Sequence, residues 1–201
     1  MTGCEAGRRL VFITHPDVLI SPDVPVPQWP LSERGRERMR TGLRQPWVAE
    51  VGAVYCSTEQ KARDGAAILA EHRGLAVTEI EALGENDRSA TGFLAPPEFE
   101  RMADAFFAQP AVSVRGWERA MDAQARVVRA VQSLAAADTS TGLIAIVSHG
   151  AVGTLLYCHL AGHGIARKWD QPPNRGGNFF RFSLQPASVA HGWQTFDEGV
   201  D

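Results

Sequence analysis

Short apolar runs, each closed by polar or turn-forming residues, alternate along the chain with stretches of helical period. Arg8 to Thr14 (RRLVFIT) is apolar and β-branched and predicts a buried strand. His15-Pro16 follows at once. The residue before a proline is pushed towards extended backbone, so His15 is expected at the strand's carboxyl end. Pro16 to Pro30 carries five prolines and no helical period, which predicts a loop. Ser32 before Glu33 is an N-cap followed by an acidic first turn, and opens a charged helix running to Arg44.

Val51 to Cys56 (VGAVYC) predicts a second strand. Ser57 and Thr58 are cap candidates for a helix over Glu59 to Arg73, where Ala62, Ala66, Ile68 and Leu69 form an apolar stripe and Gly74 is the stop. Leu75 to Ile80 alternates apolar with polar residues, a third strand. Glu85 to Pro97 is polar and turn-rich, and helical period resumes over Glu98 to Ala108 and Trp117 to Ala137. Leu143 to Val147 (LIAIV) is the strongest strand signal; Ser148-His149-Gly150 ends it, and Ala151 to Ala161 predicts a buried helix. Two strand-like runs close the chain, Phe179 to Leu184 and Trp193 to Phe196. This alternation predicts an α/β fold, a mostly parallel sheet in a three-layer α/β/α sandwich. With no repeat, low-complexity block or linker, residues 1–201 are expected to form one domain.

Composition narrows the function. At 201 residues, with 44% hydrophobic and 21% charged positions, the chain has the make-up of a folded domain and not of a disordered one. A net charge of −3 argues against nucleic acid or an anionic membrane surface as the main partner. No apolar stretch is long enough to span a bilayer, and Met1 to Arg9 lacks the apolar core of a signal peptide. Cys4, Cys56 and Cys158 are widely spaced with no CxxC pair, which fits reduced cytoplasmic thiols and neither a disulfide frame nor a metal site.

In open α/β sheets ligand groups gather beyond the carboxyl ends of the strands. His15 and His149 each end a predicted strand and can face one cleft. Lys61, a turn into the next helix, brings a positive charge towards it. Helix N-termini after Ser57 and after Gly150 add backbone donors and positive dipole ends. Each piece has a plainer reading: a lone strand-end histidine is usually a satisfied turn or core residue, and Lys61 alone is a solvated helix residue. Together they suit an anion, phosphate first, and a neutral imidazole is a competent nucleophile towards phosphorus. His72 and His191 have no such setting. His159 and His163, at i,i+4 spacing, lack the acidic partner of a zinc motif.

The order of these motifs resembles the histidine phosphatase superfamily, which includes the cofactor-dependent phosphoglycerate mutases. That family opens with Arg-His-Gly at a strand end, where this chain reads Thr14-His15-Pro16. Leu31-Ser32-Glu33-Arg34-Gly35 is similar to its first helix start, Ser57 to Ala62 to its Ser-x-x-x-Arg-Ala stretch with Lys61 at the Arg position, Leu83-Gly84-Glu85 to its acid-bearing element, and Ser148-His149-Gly150 to its closing His-Gly. The resemblance spans about Leu10 to Leu160. It implies a phosphoglycerate mutase-like fold and hydrolysis of a small phosphomonoester through a phosphohistidine, without cofactor or metal. His15 would attack, Glu85 would donate the proton, and His149, Lys61, Ser57, Gly150 and the Thr14 hydroxyl would bind the phosphoryl oxygens.

The departures have physical consequences. Thr14 cannot give the bidentate grip of an arginine, Lys61 keeps the charge but loses the fork, and Pro16 removes a backbone N–H. Arg88 is the leading candidate to compensate, ahead of Arg63, Arg115 and Arg119. Loss of family arginines favours hydrolysis over a mutase reaction, which needs many cations around a bisphosphate. The alternative is a catalytically impaired domain on the same fold that binds a phosphorylated ligand. The loop around Trp29 and the segment Phe93 to Trp117 are expected to wall the site, and their aromatic content suggests an apolar leaving group.

Overall fold

A computed structural model describes residues 7–199. Four strands pair in parallel in the order β3-β2-β4-β1: β1 (Arg9–Thr14), β2 (Val51–Cys56), β3 (Val77–Glu79) and β4 (Leu143–Ser148). β5 (Asn178–Leu184) joins β1 antiparallel, followed by β6 (Ala187–Val189), while β7 (Gln194–Thr195) pairs with β5. Among the described residues, five α-helices connect and cover the sheet: α1 (Glu33–Gly42), α2 (Gln60–Arg73), α3 (Pro96–Ala108), α4 (Ala120–Ala137) and α5 (Gly150–Leu160).

The central strands explain the unbroken apolar runs. Leu10 and Phe12 of β1, with Ile144 and Ile146 of β4, face a core built with α3, α4 and α5. Val11 and Ile13, with Ala145 and Val147, face a second core built with α1 and α2. Both sheet faces are covered, so every position of β4 is buried and a strict apolar–polar alternation has nowhere to appear. A fully buried Ile or Phe at such a position contributes about 1.5–3 kcal/mol by leaving water. The layering is the expected three-layer sandwich.

The boundaries show where side-chain chemistry decided. Ser32 caps α1 as expected, its Oγ accepting from the Gly35 N–H at 3.1 Å. Ser57 and Thr58 do not cap α2: its N-cap is Glu59, and the Ser57 hydroxyl accepts from the Glu59 N–H instead (3.1 Å). Gly74 ends α2 in the left-handed conformation, φ 66°. The third strand is shorter than its alternating pattern, because β3 is a three-residue, largely exposed edge. α4 starts at Ala120 and not at Trp117, which follows a tight turn holding Arg115 at φ 49°. β6 was not expected; it is short and mostly exposed, so it carries no apolar signature. No helix among the described residues is long and apolar enough to cross a membrane. Cys4 lies outside the described residues.

The loop after β1 is pinned by one guanidinium. Arg38 of α1 donates to Asp17 (2.8 Å), to both Asp197 carboxylate oxygens (3.0 Å each), and to the carbonyls of Asn174 (3.2 Å) and Gly176 (2.9 Å). Burial alone would raise the Asp17 carboxyl, but its hydrogen bond and ion pair with Arg38 hold it below the usual range. Asp17 is only 5% exposed, and Arg38→Met leaves its carboxylate with only the longer contacts to Arg34 (3.9 Å) and Arg175 (3.7 Å), an expected cost of about 3 kcal/mol. A carboxyl with a depressed folded pKa stabilises above its unfolded pKa and loses that contribution as pH falls through the folded value. Urea unfolding is therefore expected to show a deficit at neutral pH that shrinks in acid; a deficit below about 0.5 kcal/mol at neutral pH would show that the pair does not anchor the loop.

Candidate active site

Register brings the two histidines together. Thr14 of β1 lies opposite Ser148 of β4, so His15 and His149 leave adjacent parallel strands at the same level. The ladder runs one step further on both sides: the His15 N–H donates to the Ser148 carbonyl (3.0 Å) and the Ser57 N–H to the Val147 carbonyl (3.1 Å). The imidazoles meet edge to face, with centroids 5.2 Å apart and planes at 71°.

His15 lines a cleft of about 850 Å³ at the carboxyl ends of the strands, together with Glu85, Arg88 and Gly150. Its Nδ1 stands 3.0 Å from the Pro16 carbonyl. A carbonyl only accepts, so Nδ1 carries the proton and Nε2 keeps its lone pair. Burial, reinforced by the nearby charge of Lys61, lowers the imidazole to about 4, so the ring is neutral at physiological pH. Gly176 makes the local path possible: it sits at φ 78°, and a Cβ there would collide with the His15 carbonyl.

His149 is fully buried behind His15. Its Nε2 is 2.8 Å from the Ser57 hydroxyl and 3.4 Å from a Glu59 oxygen, whereas Nδ1 has no partner among the described residues. The Ser57 oxygen already accepts from the Glu59 N–H, so its own proton is free for Nε2; in that tautomer Nδ1–H is the unspent donor. Burial pushes His149 well below its ordinary pKa, although Glu59 opposes the shift.

Glu85 is placed at the mouth of α5. Its carboxylate accepts from the backbone N–H groups of Ala151 (3.2 Å), Val152 (3.1 Å) and Asn86 (3.2 Å). Burial nevertheless raises its pKa, outweighing Arg88 and those hydrogen bonds. Arg126 of α4 holds the Glu85 loop from below, donating to the carbonyls of Ala82, Gly84 and Glu85 and to Glu118. Arg88 forms no ion pair among the described residues; its guanidinium lies 5.1 Å from the Phe99 ring centroid and 5.7 Å from that of Trp117. Its charge reaches His15, His149 and Glu85 alike.

The remaining expected residues lie behind the cleft. Lys61 is buried and donates to Glu59 (2.5 Å) and to the Val26 carbonyl (2.9 Å), leaving one N–H uncommitted. Thr14 is fully buried, and its hydroxyl is committed to Gln171 and Asn178 and not directed into the cleft. The strand-end threonine meets the amides of the chain's last quarter, which the sequence order of motifs does not reveal. Ser57 acts on His149, and Gly150 forms the first residue of α5.

Sequence reasoning missed Glu59. Burial would raise its carboxyl, but His149 and Lys61 bring it down to about 2; with His149 neutral, Lys61 is the partner that matters. It links the site, bonding Lys61 and accepting from the Glu85 N–H (2.9 Å). Asn86 was also missed: it is 4% exposed and its Nδ2 has no partner among the described residues. Neither carries a periodic or motif signal beyond polarity.

Val18 and Ile20 from the proline-rich loop face Phe99, Phe106 and Trp117 across the cleft. Trp29 itself staples its own loop through Ser21 and Val24 and packs on Phe93 at 5.7 Å. The His163 ring stacks on Trp169 at 3.8 Å, and among the described residues no group of three or more His, Cys, Asp or Glu is placed to hold a metal ion.

This sheet order, with paired histidines at the ends of its two central strands and a carboxyl at the following helix, defines a class. The model of the histidine phosphatase superfamily (branch 1) matches residues 24–183, and the chain belongs to that family. The matched span begins after His15, whose place rests on the β1–β4 register. Among solved structures, the chain is similar to Bacillus stearothermophilus YhfR (25% identity, TM-score 0.74, covering 92% of this chain and 95% of that one). It is also similar to a mycobacterial glucosyl-3-phosphoglycerate phosphatase in complex with inorganic phosphate (21%, 0.72, 93% and 94%) and to an alpha-ribazole phosphatase from Shigella flexneri (20%, 0.65, 96% and 99%). No curated protein sequence matches the chain significantly.

Proposed function

We propose that the chain is a phosphomonoesterase that works through a phosphohistidine on His15. The observation that carries this reading is the state of His15: neutral, oriented by the Pro16 carbonyl through Nδ1, with the Nε2 lone pair unspent beside an open cleft. Nε2 attacks phosphorus in line as the ester P–O bond breaks, and Glu85 gives its proton to the departing oxygen. Water then attacks the phosphohistidine, Glu85 takes the proton back, and the N–P bond breaks to release inorganic phosphate. Arg88, in the cleft, stabilises the charge on the phosphoryl oxygens, the charge of Lys61 buried behind it adds to the field there, and His149 backs the His15 ring edge to face. The scheme calls for no metal or cofactor. The apolar wall of Phe99, Phe106 and Trp117 suits an ester whose alcohol is apolar, and phosphatases among the similar structures support a small phosphorylated substrate. Hydrolysis is favoured over a mutase reaction because, of the three arginines that line the cleft, Arg167 is paired with Glu100 and Asp104 and Arg175 stands 3.7 Å from Asp17, which leaves Arg88 without a carboxylate partner, too few for a bisphosphate.

Arg88 then takes on much of the work of the missing strand-end arginine. Arg88→Met is expected to lower kcat/KM for an aryl phosphate by about tenfold to a hundredfold, the effect of losing one charge-assisted contact. Arg88→Lys is expected to recover part of it. Steady-state kinetics check this, and unchanged kcat/KM in Arg88→Met would remove Arg88 from the scheme.

A second reading, a domain that binds a phosphorylated ligand without turnover, is favoured by the pairing of Lys61 with Glu59. Hydrolysis of a generic aryl phosphate by the wild-type protein separates the two. Turnover supports the enzyme; thermal stabilisation by phosphate without turnover supports the binding domain.

A further inference from the structure

Thr14 and Gln171 form a pair with no part in the scheme above. The Asn178 N–H donates to the Thr14 hydroxyl (3.0 Å), and of the two acceptors within reach of the hydroxyl's own proton, Gln171 Oε1 at 2.7 Å is much closer than the Asn178 carbonyl at 3.3 Å. Asn178 Nδ2 donates to the same Oε1 at 2.9 Å. Thr14 and Asn178 are both fully buried. Two donors from rigid strand positions converging on one amide oxygen fix which way the carboxamide faces: the oxygen towards β1 and β5, the NH2 away from them.

That NH2 lies over the start of α5. A Cβ at Gly150 would collide with Gln171 Nε2, so the glycine leaves the room the amide occupies. Gln171 lines the same cleft as His15, Glu85, Gly150 and Ala151, and its Nε2 has no acceptor among the described residues. An oriented donor at a helix N-terminus, beside a histidine nucleophile, is placed for an anionic oxygen.

We propose that Gln171 is a phosphoryl-binding residue, donating an Nε2–H to a non-bridging oxygen of the group that His15 attacks, with Thr14 and Asn178 as the clamp that aims it. The proposal rests on reading the cleft as a phosphate-ester site. It gives Thr14 an indirect role: the hydroxyl positions a neutral donor and does not touch the substrate. An amide cannot transfer a proton, so Gln171 contributes to binding of the phosphoryl group in both ground and transition states and leaves the pH profile in place.

Calorimetric titration of the folded protein with inorganic phosphate tests this, alongside kcat/KM for an aryl phosphate. Gln171→Met keeps the volume of a half-buried side chain and removes its donors; it is expected to weaken phosphate binding and kcat/KM by about tenfold to a hundredfold, with the pH profile unchanged. Gln171→Glu, which turns a carboxylate towards the anion, is expected to weaken both further. Thermal melts confirm that each variant is folded. Wild-type protein that binds phosphate while both folded variants bind it within about twofold would overturn the role of Gln171 and leave the site reading standing. Wild-type protein that neither binds phosphate nor hydrolyses the ester would overturn both.

Discussion

Replacing His15 by alanine is expected to lower kcat for an aryl phosphate by about 10⁴-fold or more, or some 5 kcal/mol in activation free energy. The size follows from its position. No other imidazole lines the cleft, since His149 is buried behind it with Nε2 committed to Ser57. Removing the nucleophile leaves only binding and oxyanion stabilisation, which cannot replace the covalent step. Inorganic phosphate binding should fall far less than turnover, because Gly150, Arg88 and the amide over α5 remain. His15 stays neutral down to about pH 4, so in the wild type kcat/KM should fall on the acid side only near that value, as the nucleophile gains a proton. Turnover that survives in His15→Ala would mean that another group carries the reaction.

Glu85→Gln is expected to lose about 10²–10⁴-fold in kcat for an alkyl phosphate and much less for an aryl phosphate, whose oxygen departs without a proton. The glutamine keeps an acceptor oxygen for the Val152 N–H, which bonds Oε1, and gives up the Oε2 contact with Ala151, so the acid is removed at the cost of one hydrogen bond at the helix mouth. The sign of the pH effect follows from burial. Desolvation raises the Glu85 pKa, so the proton donor persists above the ordinary carboxylate range and the alkyl-ester rate falls as pH rises through the raised value. That alkaline limb should disappear in the variant. An equal loss on both ester types would instead assign Glu85 a positioning role.

Most of the frame was readable because the central strands declare themselves. Residues 143–147 are apolar throughout since helices cover both faces of β4, and the same holds for β1, so the ends of those strands, and with them His15 and His149, could be placed by eye. Lys61 followed from its place a turn into the helix after the second strand, and Glu85 from the order of motifs. What escaped was whatever depends on chain segments far apart in sequence. Glu59 looks like any first-turn glutamate until the fold brings His149 and the Glu85 N–H against it. Thr14 meets Gln171 across 157 positions, and its hydroxyl is spent there, which no local pattern foretells. Asn86 hides in a polar turn, and its burial, 4% exposed, has no local signature. β6 is too short and exposed to carry a period.

The phosphohistidine itself is the claim on which the account stands. Rapid mixing of the protein with an aryl phosphate, quenching in base, and peptide mapping by mass spectrometry locate any transferred phosphoryl group. The account predicts one phosphoryl group on the peptide holding His15, formed as fast as the aryl alcohol is released and absent from His15→Ala. Turnover with no phosphoenzyme, or with the label on another residue, would contradict it.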